Sequence, residues 1–509
     1  MRPLTRPRRL LSLLCAGLML PWAAWQPAVA LAQTANELPA IGSGADSTLT
    51  LDDEYQIGLS VVRGLRDQGR VLEDPESDAY IQARGIRLAS QIPDSRQRFK
   101  FFVVRDAAIN AFALPGGFIG VNQGLITAAA NEAQLAGVLA HEISHVTQRH
   151  IARALQAQGR QGMASAAALL AAILIGMATG SSDAAQAGIA IAQGTAMQQQ
   201  INFTRANEYE ADRIGIGLLA SAGFDPNAMP DFFETLGRRT GLAGIGVPEL
   251  LRTHPVTSNR IAESRDRAAQ LRPAIAVQTQ TWSYFRERVR VLGGPMQGDL
   301  RGYYAALADT RALSPAQRYG EALAQLVNGE RTKAVATLRE LAAAQPDSPM
   351  LQAALGQALV ADGQPAEAIV LLRRALAISP RNIPLTVRYA EALLRAGEAK
   401  EAHTVLLDLF NNVPPTPEQI RLTALAASSA GDTADAYYYM GEYHIASGDL
   451  AMAVKQQELA LADPDITPVQ RARFEARKKE VEDALKESGK RRQRERPRQD
   501  GQLDGDRMR

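Results

Sequence analysis

The stretch LAHEISHVTQRH, residues 139 to 150, holds half of the six histidines in a chain of 509 residues. On a helix, positions i and i+4 share a face, so His141 and His145 can aim two imidazoles at one point, with Glu142 beside whatever they hold. Zinc bound by three protein groups keeps a fourth position for water. It lowers the pKa of that water towards roughly 7, and an adjacent carboxylate can take the proton as the water attacks a carbonyl. Such a site hydrolyses peptides, with Glu142 as the general base and one Zn2+ per chain. The alternative is a surface helix carrying two solvated histidines. Leu139, Ala140, Ile143 and Val146 make the helix apolar around the motif, and buried imidazoles need a partner.

A carboxylate is the usual third ligand. RANEYEADRIGIGLLASAG (205–223) reads as helix, with Glu208 and Asp212 on one face by the same four-residue rule. Glu208 can bind the metal while Asp212 accepts an N–H from a ligand histidine and fixes its tautomer. Glu210 points about 200° around the helix from Glu208 and is the weaker candidate. His150 reads as a solvated residue one turn beyond the site, and His403 and His444 as packing residues inside repeat helices.

Elements must hold these groups. Residues 54–92 read as helix, FKFFVVRD (99–106) as a strand, and FALPGGFIGVNQGLI (112–126) as a turn and strand punctuated by Pro115-Gly116-Gly117. From Asn131 the apolar spacing turns helical through Leu135, Val138, Leu139 and Ile143. Between Gln161 and Ser182 there is no charge, and the next uncharged stretch, 184–204, is rich in glutamine. A single span at 162–182 would put His141 and Glu208 on opposite sides of a bilayer, so the expectation is a helical hairpin on the body of the protein, with a peripheral membrane contact as the second reading.

The C-terminal half repeats. Pro346, Pro380 and Pro414 lie 34 residues apart, as do Ala334, Ala368 and Ala402, and Leu338, Leu372 and Leu406. With Leu355-Gly356 and Ala375, this fits the paired helices of a tetratricopeptide repeat. YYYMGEYHIASGDLAMAV (437–454) resembles a fourth unit with Gly441, Ala453 and Ala460 in place, and its offset implies an insertion near 415–430. A basic segment, KRRQRERPRQDG, reads as a solvated, disordered tail over 486–509.

Charge excludes a nucleic-acid role: 56 Lys+Arg against 54 Asp+Glu leave +2. Arg2, Arg6, Arg8 and Arg9, an apolar run from Leu10 to Leu20, and small residues at Ala28, Ala30 and Ala32 read as a secretory signal over 1–32. Its removal takes four arginines and no acid, turning +2 into −2. The only cysteine, Cys15, leaves with it, so neither a disulfide nor a cysteine ligand is expected, and a bacterial periplasm fits. The expected layout is a flexible segment over 33–53, a catalytic domain over 54–272, connecting helices over 273–314 and repeats over 315–485.

His141-Glu142-x-x-His145, followed by Glu208-x-x-x-Asp212 and preceded by NAFALPGG (110–117), resembles the zinc metallopeptidase family that includes the heat-shock protease HtpX and the mitochondrial Oma peptidases. The resemblance covers roughly 50–270 closely. It implies a mainly α chain, with an α+β zincin-like metallopeptidase domain followed by an α-helical repeat array. It also implies His141, His145 and Glu208 as zinc ligands, Glu142 as base and Asp212 behind them. The strand Ala111, Phe112, Ala113 and Leu114 would lie along the cleft, where an extended substrate pairs with its edge. THPVTSNRI (253–261) resembles the family's Thr-His-Pro stretch. His254 or Arg260 could stabilise the oxyanion, His254 could instead take the open zinc position, or it could be a loop histidine without a metal contact. With its signal and repeats, the family architecture implies quality control in the periplasm. Unfolded or stalled outer-membrane proteins would be substrates, and the outer-membrane assembly machinery would dock through the repeats. The rival is a chaperone or scaffold whose zinc site is structural or silent.

Overall fold

In the computed structural model, residues 49–93, 97–157, 195–240, 249–271, 280–294 and 300–495 are described. Helix α1 (Leu51–Asp67) starts at a reciprocal cap, in which the Thr50 hydroxyl accepts from the Asp53 N–H and the Asp53 carboxylate accepts from the Thr50 N–H. The single helix expected over 54–92 is two. Gly69, at φ +67, ends α1, and Arg70 N–H closes on the Leu65 carbonyl. Val71 then bridges to Val104, and Asp74 caps the restart at Pro75 as α2 (Pro75–Ala89).

Strands β1 (Lys100–Val104), β2 (Ala111–Leu114) and β3 (Phe118–Asn122) form a sheet in the order β1-β3-β2. β1 runs parallel to β3, and β2 pairs antiparallel to it with Phe112 opposite Gly120. The Pro115-Gly116-Gly117 turn thus joins two strands, the one read after it and the Ala111–Leu114 strand that the family resemblance implied. Gly116 sits at φ +77, and a Cβ there would lie 2.3 Å from Tyr55 Cα, so glycine lets α1 cross the turn.

After β3 come α3 (Gln123–Ala128), α4 (Glu132–Thr147) and α5 (His150–Ala157). Asn131 caps α4 by accepting from the Gln134 N–H, and Leu135, Val138, Leu139 and Ile143 are buried as the spacing predicts. Helix α6 (Thr195–Ser221) lies along α4, and α7 (Ala228–Thr240) packs on both. A Cβ on Gly215 of α6 would stand 3.1 Å from His141 N and 3.0 Å from Met229 Cε, so a hydrogen in that place permits the close α4–α6 approach. Next come α8 (Glu249–Thr253) and α9 (Ser258–Ala269). Most of the expected hairpin, 162–194, lies outside the described residues; 195–204 form the start of α6. No helix among the described residues is long and apolar enough to cross a membrane.

Helices α10 (Gln280–Leu292) and α11 (Leu300–Thr310) lead into α12 (Pro315–Val327), α13 (Arg331–Ala344), α14 (Pro349–Ala361), α15 (Pro365–Ile378), α16 (Ile383–Ala396), α17 (Ala399–Asn412), α18 (Pro417–Ser429), α19 (Thr433–Ala446), α20 (Leu450–Ala462) and α21 (Pro468–Glu495). The periodic Ala334, Ala368, Ala402, Leu338, Leu372 and Leu406 are all wholly buried. A Cβ on Gly356 would come within 2.7 Å of Leu372, which explains the small residue there. The insertion expected near 415–430 is a complete helix, α18. α21 continues to Glu495, nine residues past the expected start of the tail at 486, and Lys486 pairs with Glu482 and Asp483 one turn back.

Ionic contacts join the N-terminal half to the repeats. Arg288 of α10, fully buried, grips Asp74 at 2.6 and 2.7 Å and Glu76 at 2.8 Å, and it donates to Tyr319 Oη at 3.0 Å. Arg388 of α16 reaches the same two acids, Glu76 at 2.7 and 2.9 Å and Asp74 at 3.2 Å. Beside this cluster, a cavity of about 880 Å3 opens between α1, α2 and β1 on one side and residues 413–417 on the other. There burial and then the Glu418 carboxylate push Glu73 up to about 7, only partly offset by Arg66 at 3.7 Å and by Arg421. The native state therefore holds an extra proton between the ordinary glutamate value and about 7, and stability falls as pH rises through that window. Glu73→Gln should melt with the parent near about pH 4.5 and above it at pH 8. Equal melting temperatures at both would remove the Glu73–Glu418 repulsion from the account.

Candidate active site

Helix α4 carries His141, Glu142 and His145; α6 carries Glu208 and Asp212; α8 and the turn after it bring His254. The Leu250 N–H donates to the Ile109 carbonyl at 3.0 Å, which ties the His254 helix to the residue leading into β2. The ligand atoms of His141, His145, Glu208 and His254 all lie within 4.8 Å of one another. His141 Nε2 is 3.1 Å from His145 Nε2, 3.3 Å from His254 Nδ1 and 3.5 Å from Glu208 Oε2. Glu208 Oε1 is 3.5 Å from His145 Nε2 and 2.9 Å from His254 Nδ1. Glu142 is 1 % exposed; its Oε1 has no hydrogen-bond partner and lies 3.7 Å from His254 Nε2.

Around this cluster the charges are strongly coupled. Burial works against the charged form of His141, but the Asp212 and Glu208 carboxylates outweigh it and lift this imidazole to about 10. Burial and the neighbouring His141 press His145 well below the ordinary histidine value. Burial would raise Glu208, yet His254 and His141 hold it well below the usual carboxylate range. His141 Nδ1 lies 3.0 Å from Asp212 Oδ1, off the line of a good hydrogen bond.

Arg260 is 2 % exposed and committed to carboxylates. It binds Asp212 bidentately at 2.7 and 2.9 Å, reaches Glu208 Oε2 at 2.9 Å and donates to the Pro255 carbonyl at 2.9 Å. Its guanidinium also stacks over Phe233. β2 is an edge strand, and outside β3 the backbone of Ala111, Phe112, Ala113 and Leu114 has no hydrogen-bonded backbone partner among the described residues. Ala113 and Leu114 line one small cavity with His145.

Two residues differ from expectation. His150 is not solvated: it is 4 % exposed, with Nδ1 2.8 Å from His145 Nδ1. Glu210 indeed points away from the cluster, but its Oε2 lies 3.1 Å from His150 Nε2. The helical rule missed both because α4 ends at Thr147 and Arg149 turns left-handed, φ +51, before α5 begins. Glu54 of α1, bonded to Arg149 at 2.8 and 2.9 Å, supports that turn, and nothing in the sequence pairs the two.

An HExxH helix with a glutamate from a second helix, set against an edge strand, is the arrangement of a metallopeptidase. Residues 75–268 match Peptidase family M48, and residues 359–427 match the tetratricopeptide repeat. Over 348 residues, 67% of this chain and 69% of the other, the sequence is 38% identical to the beta-barrel assembly-enhancing protease of Escherichia coli (strain K12). Over 318 residues it is 41% identical to a Vibrio cholerae relative, covering 61% of this chain and 64%, under two thirds, of that protein. The mitochondrial metalloendopeptidase OMA1 of Arabidopsis thaliana is 32% identical over 162 residues, covering 32% of this chain and 30% of that one. The chain belongs to peptidase family M48.

Removing Arg260 would leave Asp212 and Glu208 buried without their cation. Arg260→Met should cost about 3–5 kcal/mol at neutral pH. Burial would raise Asp212, but His141 and Arg260 hold it below its ordinary value, so the stability it contributes is present at neutral pH and lost as pH falls through the carboxylate range. The mutational loss should therefore shrink in acid. Denaturant titration at both pH values checks this, and a loss independent of pH would point to packing alone.

Proposed function

We propose that this chain is a zinc-dependent endopeptidase of the periplasm that acts on unfolded or stalled outer-membrane proteins. The observation that carries the reading is the convergence of three imidazoles and a carboxylate beside the unpartnered, buried oxygen of Glu142. The residues fit zinc. Bonds of roughly 2.0–2.1 Å in a tetrahedron place ligand atoms about 3.3 Å apart; five of the six pairs stand 2.9 to 3.5 Å apart, and all four ligand atoms lie within 4.8 Å of one another. His141, His145 and Glu208 would hold the ion, with His254 in the fourth position.

Zinc, when bound, supplies Lewis acidity and an activated water. The rest is work for the chain's own residues. Glu142 takes the proton from the attacking water and delivers it to the leaving amine. Asp212 steadies His141, and Arg260 fixes the two carboxylates of α6, which leaves it few donors for an oxyanion. An extended substrate adds a strand along Ala111 to Leu114. His254, 2.9 Å from Glu208, would hold the fourth position against water, so that the resting site would stay closed until substrate displaces this ring.

The names of the bacterial relatives support outer-membrane assembly as the setting. The repeat array offers a stacked helical surface for the assembly machinery. The 162–204 stretch, whose one charge is Asp183, would form a helical hairpin on the body of the protein, with a peripheral membrane contact as the second reading, and the near-neutral charge favours no nucleic-acid partner.

His141→Ala, His145→Ala and Glu208→Ala should each lose zinc and activity. Glu142→Gln should keep zinc and the fold while hydrolysis of an unfolded outer-membrane protein falls at least roughly 10²–10⁴-fold. A Glu142→Gln chain that fully relieves outer-membrane defects in a deletion strain would replace this reading with the chaperone one. His254→Ala should hold zinc and cleave faster than the parent; slower cleavage with zinc retained would instead make His254 a stabiliser of the transition state.

A further inference from the structure

His150 has no part in the mechanism above, yet it is 4 % exposed and faces a ligand histidine. His145 presents Nε2 to the cluster, 3.1 Å from His141 Nε2 and 3.5 Å from Glu208 Oε1. Its other nitrogen, Nδ1, is 2.8 Å from His150 Nδ1. On the far side, His150 Nε2 is 3.1 Å from Glu210 Oε2. Arg153 anchors that carboxylate at 2.9 Å and reaches Asn207 Oδ1 at 3.1 Å.

The protons then have one arrangement. A histidine that gives its Nε2 lone pair to a metal is neutral and keeps its proton on Nδ1. Two nitrogens 2.8 Å apart share a single proton, so His150 must offer the lone pair of its Nδ1. The one proton of neutral His150 is left on Nε2, where it faces Glu210. Each N–H meets an acceptor along the chain from His145 to Glu210.

We infer that His150 and Glu210 are positioning residues for His145: His145 donates to His150, His150 donates to Glu210, and the ring is fixed as a ligand through Nε2. This rests on the metal-site reading above. It gives the two ligand histidines of α4 different supports. His141 has a carboxylate 3.0 Å away and off line, whereas His145 has a well-aligned neutral imidazole. A neutral acceptor orients the ring without adding another negative charge to a site that already gathers Glu142, Glu208 and Asp212. A merely structural role is the contrary case. The Glu210–Arg153 pair is about one-third exposed at both side chains, and a surface pair of that kind contributes little by itself.

The test uses the full chain stripped of metal. Zinc affinity is read by chelator competition, the ligand field by the visible spectrum of bound Co2+, and the fold by melting of the metal-free protein. His150→Leu keeps bulk and removes the acceptor; His150→Gln keeps one acceptor and one donor. The expected result is a zinc affinity about 10–100-fold weaker in His150→Leu, with shifted cobalt bands, and substantial recovery in His150→Gln. Glu210→Ala, at a half-buried position, should weaken zinc several-fold without loss of fold, and it decides the matter if His150→Leu does not fold. Parental affinity and spectrum in His150→Leu or in Glu210→Ala overturns the inference, and so does equal impairment by Leu and Gln, which marks packing. His141→Ala separates the two levels. If it binds zinc like the parent, the metal reading fails; if it loses zinc while His150→Leu does not, only this inference falls.

Discussion

Burying four ligand-type side chains with their donor atoms within 4.8 Å of one another is costly, and much of the catalytic half answers that cost. Without partners the carboxylates of Glu208 and Asp212 would protonate, and the imidazoles would turn from the cluster or stay neutral. Arg260 supplies the compensating cation on one side, while His150 and Glu210 complete the hydrogen bonds on the other. Gly215 lets α4 and α6 come close enough for one cluster to draw on both helices. Chemistry and packing thus share one requirement, a short separation between two helices whose facing residues are charged.

Much of that arrangement was legible in the sequence, because an α-helix converts a four-residue interval into a shared face. His141 with His145, and Glu208 with Asp212, needed only that rule, and the 34-residue period fixed the buried alanines and leucines of the repeats. What escaped depends on contacts between elements or on single backbone choices. Arg149 in the left-handed region swings His150 back under His145, an effect no periodicity predicts. The break between α1 and α2 had local signals in Gly69 and Pro75, but the amphipathic pattern on either side hid it. Arg260 was visible as a charged residue near a histidine. Its fork onto two acids was not, since its partners lie about fifty residues away.

The edge strand and the closed cluster pull in opposite directions. β2 offers an unpaired margin to an incoming chain, yet the donor atoms opposite it already satisfy one another: His254 with Glu208, and His141 with both. On the function proposed above, a site arranged this way would favour substrates that bring enough strand pairing to displace an internal contact. That would be a physical filter for long, extended, unfolded segments over short loops.

The paired arginines at the seam bear on how such a protein can be assembled from parts. Asp74 and Glu76 belong to the catalytic half, yet one of their two cations, Arg388, belongs to the repeats, and Arg288 leans on Tyr319 of α12. Cutting the chain near residue 315 would strand two buried acids with half their counter-charge. Grafting a foreign repeat array would do the same unless it carried an arginine and a phenol at matching places. In lineage terms, the halves are not freely interchangeable cassettes: recombination that exchanged one without the other would inherit an unbalanced interior, so these two regions of the gene should travel together.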